Sequence, residues 1–182
     1  MRLLGNLILL GAIAVSACAH DPGIATPANE SPQTPASPPP IAASEVTVEN
    51  LLRWPLEGSA GFDKVDAGLH QVLKMEPLPV QQFTGNGPVQ LTDGNVLLFA
   101  WLGRLSGSVS IGVAQERCVS PEQTKALIGA VQTHVIRDMH GGEHGTTYST
   151  TRNGVRVKVT TTPKTYQCVD SIQIHKIRDS NP

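Results

Sequence analysis

The dipeptide Asn153-Gly154 constrains this chain more than any other pair of residues. A two-residue hairpin turn needs positive φ at both central positions, and Asn-Gly meets that need at the least steric cost. The flanking residues fit such a turn. Residues 146–151 read TTYSTT and residues 155–161 read VRVKVTT. Val155, Val157 and Val159 alternate with Arg156 and Lys158, the period of a strand with one buried face. Asp93-Gly94 gives a second hairpin signal. Before it, residues 80–84 and 89–92 read as strands separated by a turn at Gly85-Asn86-Gly87. After it, residues 95–101 (NVLLFAW) are apolar on both faces, which predicts a central strand. Val109, Ile111 and Val113 alternate with Ser108, Ser110 and Gly112 in the next strand. A last strand over residues 165–177 carries Tyr166, Cys168, Ile172 and Ile174 on one parity.

Three stretches switch to helical period. Residues 47–54 predict a short helix, stopped by Pro55. Ser59 is the expected cap of a second, whose Phe62, Val65, Leu69, Val72 and Leu73 share a face. The third is expected to be long. Ser120 caps it, Pro121 takes the first turn and Gln123 completes a capping box. Leu127, Ala130, Val131, His134 and Val135 form its apolar stripe, and Gly141-Gly142 stop it. The predicted class is α+β: an antiparallel sheet built from hairpins, with one long helix and one or two shorter helices packed on one face. No internal repeat is legible.

The folded domain is expected over residues 45–182. What precedes it differs in kind. Residues 20–44 are rich in Pro, Ala, Ser and Thr and poor in large apolar groups. Such a stretch buries too little surface to offset the entropy of ordering. With Cys18 and Ala19 it reads as a tether over residues 18–44. Residues 3–15 are mostly apolar and follow Arg2. The run is shorter than the roughly 20 residues that span a bilayer, so an export signal over residues 1–17 is the better reading.

Val15-Ser16-Ala17-Cys18 ends that signal. It resembles the lipobox of bacterial lipoproteins: an aliphatic residue, two small residues, then Cys. The resemblance covers residues 1–18. It implies cleavage before Cys18, with acyl chains on its thiol and new amino group. Several chains on one residue hold a protein to a bilayer where one does not, at about 0.8 kcal/mol per buried methylene. The following residue is Ala19 rather than Asp, which resembles an outer-membrane address with the domain in the periplasm. Ala17-Cys18-Ala19 also spells a site for ordinary signal peptidase, which would release a soluble protein. The lipobox is preferred because it places Cys where the chemistry requires it.

Three cysteines are an awkward number for an oxidising compartment. If lipid consumes Cys18, then Cys118 and Cys168 remain as a disulfide pair or as two buried thiols. Closing that loop would stabilise the fold by up to about 4 kcal/mol in the chain-entropy model.

The formal net charge is −1, so bulk charge points to no nucleic-acid partner. The distribution is uneven. Arg152, Arg156, Lys158, Lys164, Lys176 and Arg178 stand late in the chain against Asp170 and Asp179. Glu45, Glu49, Glu57, Asp63, Asp66 and Glu76 make the earlier part acidic.

One stretch spells catalysis. His140-Gly141-Gly142-Glu143-His144 matches the H-x-x-E-H pattern of zinc hydrolases, where two His one helical turn apart hold the metal and Glu activates water. That geometry needs a helix, and two glycines oppose one at about 1 kcal/mol each. A solvated loop is therefore expected, with His140, Glu143 and His144 as weak metal candidates. There is no G-x-S-x-G elbow and no P-loop. The expected function is a non-enzymatic, cofactor-free lipoprotein that binds an envelope protein. The alternatives are a metal-dependent hydrolase or a purely structural envelope protein. Substituting Cys18→Ser is expected to move the protein from the membrane to the soluble fraction and to abolish palmitate labelling. Retention in the membrane would rule out the lipobox.

Overall fold

The computed structural model describes residues 41–137, 139–161 and 167–177. The signal, Cys18 and most of the tether lie outside the described residues, as do Lys164, Tyr166, Arg178 and Asp179.

Three α-helices and eight strands follow one another as α1 (Val48–Arg53), α2 (Ser59–Val72), β1 (Glu76–Leu78), β2 (Gln82–Gln90), β3 (Val96–Gly103), β4 (Ser108–Val113), α3 (Pro121–Ile128), β5 (Gln132–Arg137), β6 (Glu143–Arg152), β7 (Val155–Thr161) and β8 (Val169–Lys176). The strands form one antiparallel sheet in the order β1-β2-β3-β4-β8-β7-β6-β5. Helices lead into a four-strand meander, and a helix leads into a second such meander. The two meet along β4 and β8, so the topology is a repeat that composition and spacing do not reveal.

The seam between the halves is apolar on one side. Val109 pairs with Ile174 and Ile111 with Ile172, and all four are buried. Leu51, Leu52, Phe62, Val65 and Leu69 of α1 and α2 join them in the core, as do Val155, Val157 and Val159 of β7. Each such aliphatic chain contributes about 1.5–3 kcal/mol when fully buried. The helices and the core occupy one face of the sheet, as the alternation predicts. Cys118 and Cys168 form a disulfide beside this seam, with Cα atoms 4.9 Å apart. The Val169 N–H donates to the Val119 carbonyl at 2.9 Å, tying the segment before α3 to the start of β8.

The Asn153-Gly154 hairpin forms as read, with φ of 49° and 72°. Asp93 does more than turn the chain. One carboxylate oxygen accepts from the Asn95 N–H at 3.0 Å, inside the turn. The other accepts from the Val48 N–H at 2.8 Å, in the first turn of α1. The Thr47 hydroxyl accepts from Asn50 at the same end. One side chain thus fixes a hairpin and a distant helix terminus together.

Four expectations are corrected. The third helix is not long. Gly129 takes a left-handed conformation (φ 61°), and the Ala130 N–H closes back on the Lys125 carbonyl at 3.0 Å. The helix ends there, and residues 132–137, rich in β-branched side chains, pair with β6 as an edge strand. Ser59 does not cap α2. Gly58 is the cap (φ 88°), and the Ser59 hydroxyl accepts from Lys176 Nζ instead. Gly85-Asn86-Gly87 is not a turn but lies within β2, where a bulge between Asn86 and Val89 absorbs the extra residues. The turn falls earlier, at Val80 and Gln81, both at positive φ (62° and 52°). Finally, residues 41–44 belong to the fold and not to the tether. Ile41 packs against the core and residues Ala43–Glu45 form a 3-10 turn.

Asp93→Ala is expected to cost about 2 kcal/mol, since it removes two hydrogen bonds to a carboxylate. The check is a thermal melt. Val80 is β-branched and left-handed, so Val80→Asn with Gln81→Gly is expected to raise Tm, by about 1 kcal/mol of stability.

Candidate functional site

The H-x-x-E-H stretch is a hairpin, not a helix. His140 and Gly141 lie in the turn between β5 and β6, and Glu143 and His144 begin β6. Adjacent residues of a strand project to opposite faces, so Glu143 and His144 do not converge. Arg137 holds the Glu143 carboxylate at 3.2 Å and the Gly141 carbonyl at 3.4 Å. Among the described residues, no group of three or more His, Cys, Asp or Glu is placed to hold a metal ion.

A cleft of about 490 Å³ opens between α1 and α3, beside the disulfide. Arg53, Leu52, Gln123 and Leu127 line it. Arg53 is paired with Glu49 at 2.9 Å. Elsewhere on the helix side, Lys176 sits 4.4 Å over the Phe62 ring and 3.2 Å from Asp63. Arg104 grips Asp66 with two nitrogens, at 2.8 and 3.2 Å, and stacks on Phe83 at 4.5 Å. These cations staple the sheet to α2. Lys176 is therefore spent on structure rather than presented on a basic face.

Among the described residues, no helix lies on the other face of the sheet. Register places Trp101, Ser110, Gln173, Lys158 and Ser149 in one row across five strands. Phe99, Gly112, Ser171 and Thr160 make the next, and Ser108, His175 and Arg156 a third. The polar parity of β4, β7 and β8 supplies most of this surface. The apolar part comes from β3. A register shift between Leu97 and Phe99 turns two successive side chains outward, and Leu98 and Phe99 are 45% and 42% exposed. Gly112 makes room for this arrangement, because any Cβ there would collide with the Phe99 ring.

The sequence placed Arg156 and Lys158 on this face correctly, but not the aromatic groups. Trp54 lies in the core, whereas Trp101 is half-exposed on the open side. Tyr148 lies under Lys125 of α3, whose Nζ is 5.2 Å from the ring centre. A signal for Leu98 and Phe99 was available. NVLLFAW holds more consecutive apolar residues than a strand covered on one face can bury.

The open face is electrically divided. At one end of β8, His175 lies between Ser108 and Arg156 in the register. Burial, then the charges of Lys158 and Arg156, push its pKa below the usual imidazole value. At the other end is Asp170, five residues or about 17 Å away along the strand. Burial raises the pKa of its carboxyl group.

No protein-family model, curated protein or solved structure matches the chain. The fold is a mixed α+β domain, with an eight-stranded antiparallel sheet and three α-helices among the described residues.

The unfolded chain takes up the His175 proton at a higher pH than the folded one. Its contribution to stability is therefore complete above about pH 6.5 and is lost as pH falls through the lower folded-state value. Tm measured between pH 7.5 and pH 5 is expected to fall less steeply for His175→Gln than for the unsubstituted protein.

Proposed function

We propose that this protein is a lipid-anchored lipoprotein of the bacterial outer membrane that works by binding a partner protein across the open face of its sheet. One observation carries the binding role. Leu98, Phe99 and half-exposed Trp101 of β3 share one face of the sheet with Arg156, Lys158 and His175 of β7 and β8, and no described residue forms a helix over that face. Exposed aromatic groups that share a face with Arg, Lys and hydroxyl side chains match the composition of protein interfaces, which favour Trp, Phe and Arg.

The size agrees. Eight strands spaced about 4.8 Å apart, three to ten residues long and about seven on average, offer a face on the order of 34 by 23 Å. A standard interface takes about 800 Å² from each partner, a comparable area.

Binding is preferred to catalysis because the residues that spell a hydrolase sit on a hairpin, with Glu143 engaged by Arg137. The anchor rests on Cys18 and its lipobox, and the Pro-rich residues after it supply reach. At about 3.1 Å per residue in an extended, proline-rich stretch, a tether of that length carries the domain some tens of ångströms from the bilayer.

A photo-crosslinking amino acid placed at Ser110 or Gln173, in the living cell, is expected to yield one discrete adduct. The same probe at Gln71 or Lys74, exposed on the helix side, is expected to yield none. Adducts from the helix side alone, or from neither, would refute the reading.

A further inference from the structure

The open face contains a cavity of about 380 Å³ between β3, β4 and the start of β8. Its walls are unlike one another. Leu98, Phe99, Val113 and Ala114 form an apolar side, and Asp170 and Glu116 carry its charge. Among the described residues, no Lys, Arg or His lines it.

Two irregularities converge to build it. The register shift in β3 sends Leu98 outward beside Phe99. A second shift, opposite Thr160 and Thr161 of β7, inserts Asp170 as an extra residue of β8 between buried Val169 and Ser171. Bulges re-aim side chains, and these two aim an aromatic ring and a carboxylate into one space. The carboxylate is incompletely partnered. Its hydrogen bonds come from its own backbone and from Ser171, while Oδ1 is shielded from solvent and has no partner among the described residues.

The geometry points to a pocket for an arginine side chain of the partner protein, its stem along Leu98, its guanidinium on the Phe99 ring and against Asp170. Arginine fits better than lysine because a planar fork can stack on a ring and donate to a carboxylate at once. Glu116, exposed at the rim, adds attraction without being buried. This proposal rests on the reading of the open face as a docking surface and names the chemistry of what docks there.

The test uses the full chain in neutral detergent and Nα-acetyl-arginine amide as probe, followed by amide chemical shifts. Saturable shifts centred on Phe99, Gly112 and Ser171 are expected. The citrulline analogue, which has the same shape without the charge, is expected to bind about tenfold more weakly, as is arginine amide to Asp170→Asn. One readout needs no variant: the carbon-detected pKa of Asp170 is expected to fall when the probe is present. Equal binding of the citrulline analogue, an unmoved Asp170 pKa, or shifts that do not saturate would overturn the pocket. Crosslinks from Ser110 and Gln173 without arginine binding would remove this inference and leave the docking face. Arginine binding without crosslinks would do the reverse.

Discussion

The pairing of β4 with β8 is the interaction on which the rest depends. The two strands lie side by side yet are separated by α3 and three other strands in sequence. Nothing local holds them together. Ile111 against Ile172 and Val109 against Ile174 do so on the core side, and the Cys118–Cys168 disulfide holds them beyond the strand ends. Closing so long a loop costs entropy before any contact rewards it. A covalent link near the seam takes much of that cost out of the folding step, by about 4 kcal/mol in the chain-entropy account. Each half is a meander that local turns can assemble. Only the seam makes one sheet of them, and only the sheet makes an open face.

That dependence explains what was legible in the sequence. Val155, Val157 and Val159 read as a buried parity because strand period and an Asn-Gly turn are local signals. Phe62, Val65 and Leu69 read as a helix face for the same reason. Cys118 and Cys168 were legible by count, whereas the bulge at Asp170 breaks the parity that linked Cys168 to Ile172 and Ile174. The misreadings arose where partners from elsewhere decide. Residues 131–136 fit a helical stripe and a strand about equally, and Gly129 together with the edge of β6 decides for the strand. Gly85-Asn86-Gly87 has turn chemistry, but pairing with β3 holds it extended. Val80 and Gln81 have none, yet they turn because the strands on either side pair.

The candidate site was the least legible part. Arg156 and Lys158 could be placed outward from their own strand. Leu98 and Asp170 could not, because a bulge belongs to a pair of strands rather than to either one. Sequence drew attention to His140, Glu143 and His144, whose spelling is conspicuous. The structure draws it to a face whose residues are individually ordinary. Three cations that the charge pattern grouped together prove to do different work: Lys176 fastens a helix, while Arg156 and Lys158 face outward beside His175.

The position of β8 has a further consequence for biogenesis. It follows every other strand in the chain, yet it enters the middle of the sheet rather than its edge. A chain threaded across a membrane from its N-terminal end would present α1 to β4 first, with β4 waiting as a raw edge. The second meander would follow with β7 equally bare. Only when Cys168 and the eight residues after it arrived could both edges be covered at once. Until then two strand edges stand uncovered, and the last strand to arrive closes both.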